Sequence, residues 1–117
     1  MADEDCVFCR IAMHQSPAQI EYEDENFIVF HDINPSAPIH LLIIPKTHFS
    51  WQDDLSHQSK ILGRIFQIAP KMAEKMEIKD TGYKLIMNCG RGAGQIIEHF
   101  NVHLIGGWQP GTVRKLP

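Results

Sequence analysis

The chain has 117 residues, enough for one domain with a core of its own but few enough that a metal or a partner subunit adds materially to stability. Its 14 Asp and Glu outnumber its 11 Lys and Arg for a formal charge of −3. That balance disfavours binding to a nucleic-acid backbone, which needs clustered cations, and leaves free nucleotides as ligands. No apolar run approaches the roughly 18 residues of a membrane span, and the acidic start Met1-Ala2-Asp3-Glu4-Asp5 lacks the basic region of a secretory signal. The expectation is a single cytoplasmic domain over 1–117, with neither membrane nor nucleic acid as partner.

In chain order, Cys6-Val7-Phe8-Cys9 opens a short helical segment reaching to about Met13, where a three-residue spacing puts both sulfurs on one face. A redox pair, half of a zinc site and two buried free thiols compete, and the lack of a surrounding βαβ pattern weakens the redox option. Ser16-Pro17 marks a turn, Ile20 to Asp24 a strand, and Glu23-Asp24-Glu25-Asn26 a polar turn. Phe27 to His31 is β-branched and aromatic, hence a buried strand. Asp32 at its end is either a ligand-binding acid or the start of an Asx turn ahead of Asn34-Pro35. Ile39 to Ile44 is an apolar strand interrupted by His40, whose imidazole must be hydrogen-bonded or face a site.

From about Leu55 to Met76 the positions Leu62, Ile65, Phe66, Ala69, Met72, Ala73 and Met76 recur at three and four, an amphipathic helix with Ser56 as N-cap. Pro70 should kink or divide it. Lys79-Asp80-Thr81-Gly82 turns the chain into a strand over Tyr83 to Asn88. The next stretch, Asn88-Cys89-Gly90-Arg91-Gly92-Ala93-Gly94-Gln95, carries glycines that let backbone N–H groups approach a phosphate. Cys89 is read as a simple thiol. His99 to Gly107 alternates with period two, so His99, Asn101 and His103 share one strand face about 7 Å apart while Phe100, Val102 and Leu104 pack inward. A solvated polar face is the plain alternative; the glycine-rich loop before it favours phosphate chemistry.

These blocks resemble the histidine triad (HIT) family, whose signature is His-x-His-x-His followed by two apolar residues and preceded by a glycine-glutamine step. His99 and His103 match the outer histidines, and Asn101 stands where the family has its central, nucleophilic one. The resemblance also takes in Phe30-His31-Asp32-Ile33-Asn34-Pro35, Ala37-Pro38-Ile39-His40 with Leu41-Leu42-Ile43-Ile44-Pro45, and Lys46-Thr47-His48, so it covers nearly the whole chain. It implies an α+β, HIT-like fold: an antiparallel sheet of about five strands with one long helix and a short N-terminal one, the sheet continued across a homodimer. The tail from Trp108 to Pro117 would lie near the dimer interface.

The resemblance also implies a site. Val7, Phe8, Ile11, Phe30, His31 and Ile33 would hold a purine base, Asp32 the ribose hydroxyls, and Asn88, Gly94, Gln95, Ile96, Asn101 and His103 the rest of a nucleotide such as AMP or GMP. Ile96 replaces a hydroxyl residue common at that position. His40 would lie behind the central triad position and orient it, giving a catalytic set of Asn101, His103, His99 and His40. Cys6, Cys9, His48 and His99 would form a structural Cys2His2 zinc centre.

In the family the central histidine attacks the α-phosphorus of a nucleoside phosphoramidate or related ester, and water cleaves the nucleotidyl-imidazole. The amide of Asn101 cannot take that role, because its nitrogen lone pair is delocalised into the carbonyl. Two histories fit: a His-to-Asn substitution introduced into a hydrolase, favoured by the intact blocks around it, or a naturally non-catalytic nucleotide-binding module. A third idea, a catalytic metal cluster of the histidines, is disfavoured because Asn101 interrupts it and no carboxylate is near in sequence.

Overall fold

The computed structural model describes residues 5–48, 55–95, 97–109 and 111. In order come α1 (Val7–Ala12), β1 (Ile20–Glu23), β2 (Phe27–His31), β3 (Ile39–Pro45), α2 (Leu55–Lys75), β4 (Tyr83–Ile86), a 3-10 turn at Arg91–Ala93, and β5 (Val102–Gly106). The strands form one sheet in the order β1-β2-β3-β5-β4, antiparallel at every pairing. This is the expected α+β architecture: five strands, one long helix and one short one.

The period of two in β2 and β3 divides the core. Phe27 and Val29, Leu41 and Ile43, and Val102 and Leu104 face α2, where Ile65, Ile68, Ala69, Met72 and Ala73 cover them together with Phe100. Ile28, Phe30, Leu42 and Ile44 face the other way, onto Phe8, Cys9, Ile11 and Ala12 of α1. A 21-residue helix covers one face and a six-residue helix covers part of the other. Among the described residues, no helix covers the remainder of that second face, the open face.

Several expectations change. The helix α2 runs unbroken across Pro70. Pro70 and Phe66, the residue four before it, both lie on the exposed side, so the carbonyl that loses its partner is met by water. Phe66 itself is 62% exposed and does not join the core. Ser56 lies inside the first turn of α2, which begins at Leu55. β5 begins only at Val102, so His99 and Asn101 precede the strand and His99 does not share a strand face with His103.

β4 is also shorter than expected. Its ladder ends with Ile86 opposite His103, and the chain then leaves the sheet, carrying Asn88 toward the open face. The tail beyond Gln109, apart from Gly111, lies outside the described residues.

Candidate functional site

The open face holds a cavity of about 370 Å³ between α1, the ends of β2 and β3, the glycine-rich loop and the start of β5, within the size range of small-molecule sites. Val7, Phe8, Ile11, Phe30 and Ile33 form its apolar part; Asp32, Asn88, Gly94, Gln95, Asn101 and His103 supply polar groups. Every residue expected at the nucleotide lines this cavity except Ile96, which lies outside the described residues. His31 borders it as well, yet its Nε2 is bonded to Glu21 Oε2 at 2.6 Å. That bond pulls the Glu21 carboxyl below its ordinary value, with Lys75 adding to the effect. Pro17, Ala18, Asn34, Leu42 and Ile97 also line the cavity and were not foreseen. Leu42, two residues past His40 on a strand, was recoverable from alternation; the other four needed the tertiary packing.

His40 and His103 meet diagonally across β3 and β5, where Leu42 is opposite His103 and Ile105 is opposite His40. His40 Nε2 lies 2.8 Å from His103 Nδ1, so His40 stands behind His103 and not behind Asn101 as expected. The tautomers follow from one backbone bond. Ser36 N–H donates to His40 Nδ1 at 3.0 Å, so a neutral His40 carries its proton on Nε2 and gives it to His103 Nδ1. His103 must then carry its proton on Nε2. Burial lowers the pKa of both imidazoles, with the neighbouring His40 depressing His103 further and Asp32 partly offsetting the effect on each. The pair is thus neutral at pH 7, and His103 brings an N–H donor to the cavity it lines.

Asp32 makes the expected Asx turn and also lines the cavity. Its Oδ1 accepts the Asn34 N–H at 2.8 Å in an Asx turn, while Oδ2 lies 3.4 Å from His40 Nε2. The fold therefore brings beside the histidines the carboxylate that was absent from their sequence neighbourhood. Asn101 Nδ2 donates to the carbonyl of His99 at 2.9 Å. The glycine-rich loop departs from expectation: the N–H groups of Gly94 and Gln95 already donate to the carbonyls of Arg91 and Gly90, at 3.0 and 3.1 Å. Gln95 also closes the loop with its side chain, accepting from Gly90 N–H and donating to the Ile97 carbonyl. These amides shape the loop and are not spare for a phosphate.

A second constellation lies behind α1. The ligating atoms of Cys6, Cys9, His48 and His99 all fall within 4.8 Å of one another. Cys6 Sγ and Cys9 Sγ are each 3.4 Å from His99 Nδ1, and Cys9 Sγ is 3.2 Å from His48 Nδ1. A tetrahedral zinc with ordinary bond lengths separates sulfur from nitrogen by about 3.6 Å, so these three pairs need to spread by only a few tenths of an ångström. His99 Nε2–H donates to the Pro45 carbonyl at 2.7 Å, which leaves Nδ1 as the unprotonated atom facing the sulfurs. Burial pulls the His99 pKa to about 4, against the Pro45 bond, so its imidazole is neutral. Burial likewise pushes the Cys6 thiol up to about 11; a metal entering here displaces thiol protons. His99, expected in both the catalytic and the metal set, does not line the cavity.

Comparison with known proteins points the same way. The family model described as "Scavenger mRNA decapping enzyme C-term binding" matches residues 5–115. The purine nucleoside phosphoramidase of Escherichia coli (strain K12) is 40% identical over 105 residues, which cover 89% of this chain and 88% of that one. The HIT family hydrolase from Clostridium thermocellum superposes with a TM-score of 0.90 at 44% identity, over 98% of this chain and 100% of that one. A zinc-bound histidine triad family protein from Mycobacterium smegmatis superposes with a TM-score of 0.78 at 29% identity, over 94% and 80% of the two chains.

Proposed function

The chain belongs to the histidine triad family, and from that membership we propose that it binds a purine nucleoside monophosphate in the cavity on the α1 side of the sheet. The reaction of the family, disabled here by Asn101, would be hydrolysis of nucleoside 5'-phosphoramidates or related nucleotidyl esters. The observation that carries the proposal is the cavity's mixed lining, which brings apolar Val7, Phe8, Ile11, Phe30 and Ile33 together with polar Asp32, Asn101 and His103. A flat aromatic base suits the slot, the Asp32 carboxylate suits a vicinal diol, and the His103 N–H suits a phosphate oxygen.

In this proposal Asn101 is what disables that chemistry. An imidazole at this position, donating from Nδ1 to the His99 carbonyl as the amide does now, would keep its Nε2 lone pair free for attack on phosphorus. The bond from Nε2 to phosphorus would form as the bond to the leaving amine breaks, and water would then release the nucleotide and regenerate the imidazole. The amide preserves the hydrogen bond and lacks the nucleophile. His103, held in one tautomer by His40 and Ser36, retains its donor role.

The Cys6, Cys9, His48 and His99 donor set supports one zinc ion that would pin α1 to the end of β3 and to the segment entering β5. It is structural in this proposal, with all four positions filled by protein. The zinc-bound mycobacterial relative supports the assignment. A homodimer joined through an edge of the sheet completes the proposal.

The test pairs AMP binding by calorimetry with adenosine phosphoramidate turnover, on this chain and on Asn101→His. Binding by both with turnover only in the variant is the expected result. Binding by both with turnover by neither would identify a nucleotide-binding module, and binding by neither would sink the assignment of the cavity.

A further inference from the structure

The cysteine–histidine cluster and the cavity are built from the same short pieces of chain. We propose that metal occupancy of the Cys6–Cys9–His48–His99 centre sets the affinity of the cavity for its nucleotide, an inference that rests on the zinc and nucleotide assignments above. The centre is then a regulatory input as well as a staple.

Three connections carry the proposal. The first is α1 itself. Val7 and Phe8, which line the cavity, lie between the two cysteines of the cluster, and Cys6 caps the helix by accepting the Cys9 N–H on its sulfur. A helix of six residues does not hold its place by its own hydrogen bonds, so the position of this wall depends on what anchors its first turn. The second is the Phe8 ring, which stands edge-on to His99 at 5.9 Å and to Phe30, on the cavity wall, at 5.6 Å. Movement of the His99 ring therefore bears on the aromatic contact that shapes the slot. The third is the Asn101 amide, which is held by the carbonyl of His99, so the polar part of the cavity is tied to the same metal ligand.

The effect is local because the core is divided. No residue of α1 belongs to the cluster that packs α2 on the sheet; that half of the domain keeps its packing whether or not the centre holds a metal. Without metal, α1 retains the apolar contacts of Phe8, Cys9, Ile11 and Ala12 and sulfur-to-imidazole contacts of 3.2–3.4 Å. With metal, bonds from Cys6 and Cys9 to an ion that His48 and His99 also hold fix the same segment. The nucleotide then meets a preformed wall and has less chain to order.

Coupling between two sites is reciprocal, so metal must raise nucleotide affinity by the same factor by which nucleotide raises metal affinity; typical factors are about 5 to 150. The experiment measures both directions. AMP is titrated by calorimetry into protein loaded with one zinc per chain and into protein stripped by a chelator, with circular dichroism following the fold. Zinc is separately competed from the loaded protein with a chromophoric chelator, with and without saturating AMP. The expected result is AMP affinity lower by about tenfold or more after stripping, restored by zinc, and an equal AMP-dependent gain in zinc affinity. Cys9→Ser should bind AMP like the stripped form. Equal AMP affinity in both forms, or chelator competition indifferent to AMP, overturns the proposal. The competition arm starts from folded, loaded protein, so it decides the matter even where the stripped form does not survive. AMP binding by neither form would indict the nucleotide assignment, and failure to load zinc the metal assignment; either removes the coupling with it.

Discussion

At the scale of single residues, the two histidines flanking Asn101 have separate employments: His99 is buried with the cysteines, and His103 faces the cavity. His103→Ala should weaken AMP binding by about 1.5 to 3 kcal/mol, the worth of a hydrogen bond to a charged group, without changing zinc content; calorimetry and metal analysis check the two halves. Asn101→His should raise phosphoramidate turnover by roughly 10⁴- to 10⁶-fold. The cysteines and histidines of the cluster and most of the cavity lining were legible in the sequence through the family resemblance, whereas Pro17, Ala18, Asn34, Leu42 and Ile97 were not. The pairing of His40 with His103, and the use of the Gly94 and Gln95 amides within their own loop, were not. The first depends on the register of β3 against β5, and the second on how the loop turns back on itself.

Among the elements, β2 and β3 match the expected strands to within one residue because alternation and β-branched composition agree there. β5 begins late because the buried His99, bonded to the Pro45 carbonyl, takes the chain off the ladder until Val102. Pro70 was misjudged since propensity says nothing of which helix side meets water. Pro70→Ala should restore one helical hydrogen bond on that exposed side and stabilise the fold by about 1 to 2 kcal/mol, measured by urea denaturation. Where β5 ends, Gly107 has φ +94°, and an added Cβ would lie 3.0 Å from the Pro38 side chain. Gly107→Ala should therefore cost about 1 to 3 kcal/mol, read from the same curves.

For the molecule as a whole, acid should act first on the imidazoles. His99 is held at about 4 in the fold against about 6.5 in an unfolded chain. The unfolded state thus takes up protons first, so stability present above pH 6.5 is lost as the pH falls toward 4. His40 and His103 act in the same direction. Metal-free protein should lose about 2 to 3 kcal/mol from His99 alone between pH 7 and 4.5. The lowered Glu21 carboxyl adds its own loss only at more acid pH. Urea melts at stepped pH separate the two windows. The proposed homodimer belongs to this scale too. β4 and β1 are the edges of the sheet; β1 carries Glu21 and Glu23, charges that discourage edge pairing, and β4 reads Tyr83-Lys84-Leu85-Ile86. Sedimentation equilibrium should return twice the 13.4 kDa chain mass, and a monomer would remove the dimer.

The two-sided sheet also imposes a rule on chain length. In β2 and β3 the odd-numbered core residues turn to α2 and the even-numbered ones to α1, whereas in β5 Val102 and Leu104 turn to α2 and His103 to the cavity. Deleting one residue between Gln95 and Asn101 would bring the next strand position into each place, burying His103 under the long helix and turning Val102 and Leu104 out to the ligand. The segment entering β5 can therefore exchange side chains far more freely than it can gain or lose a single residue.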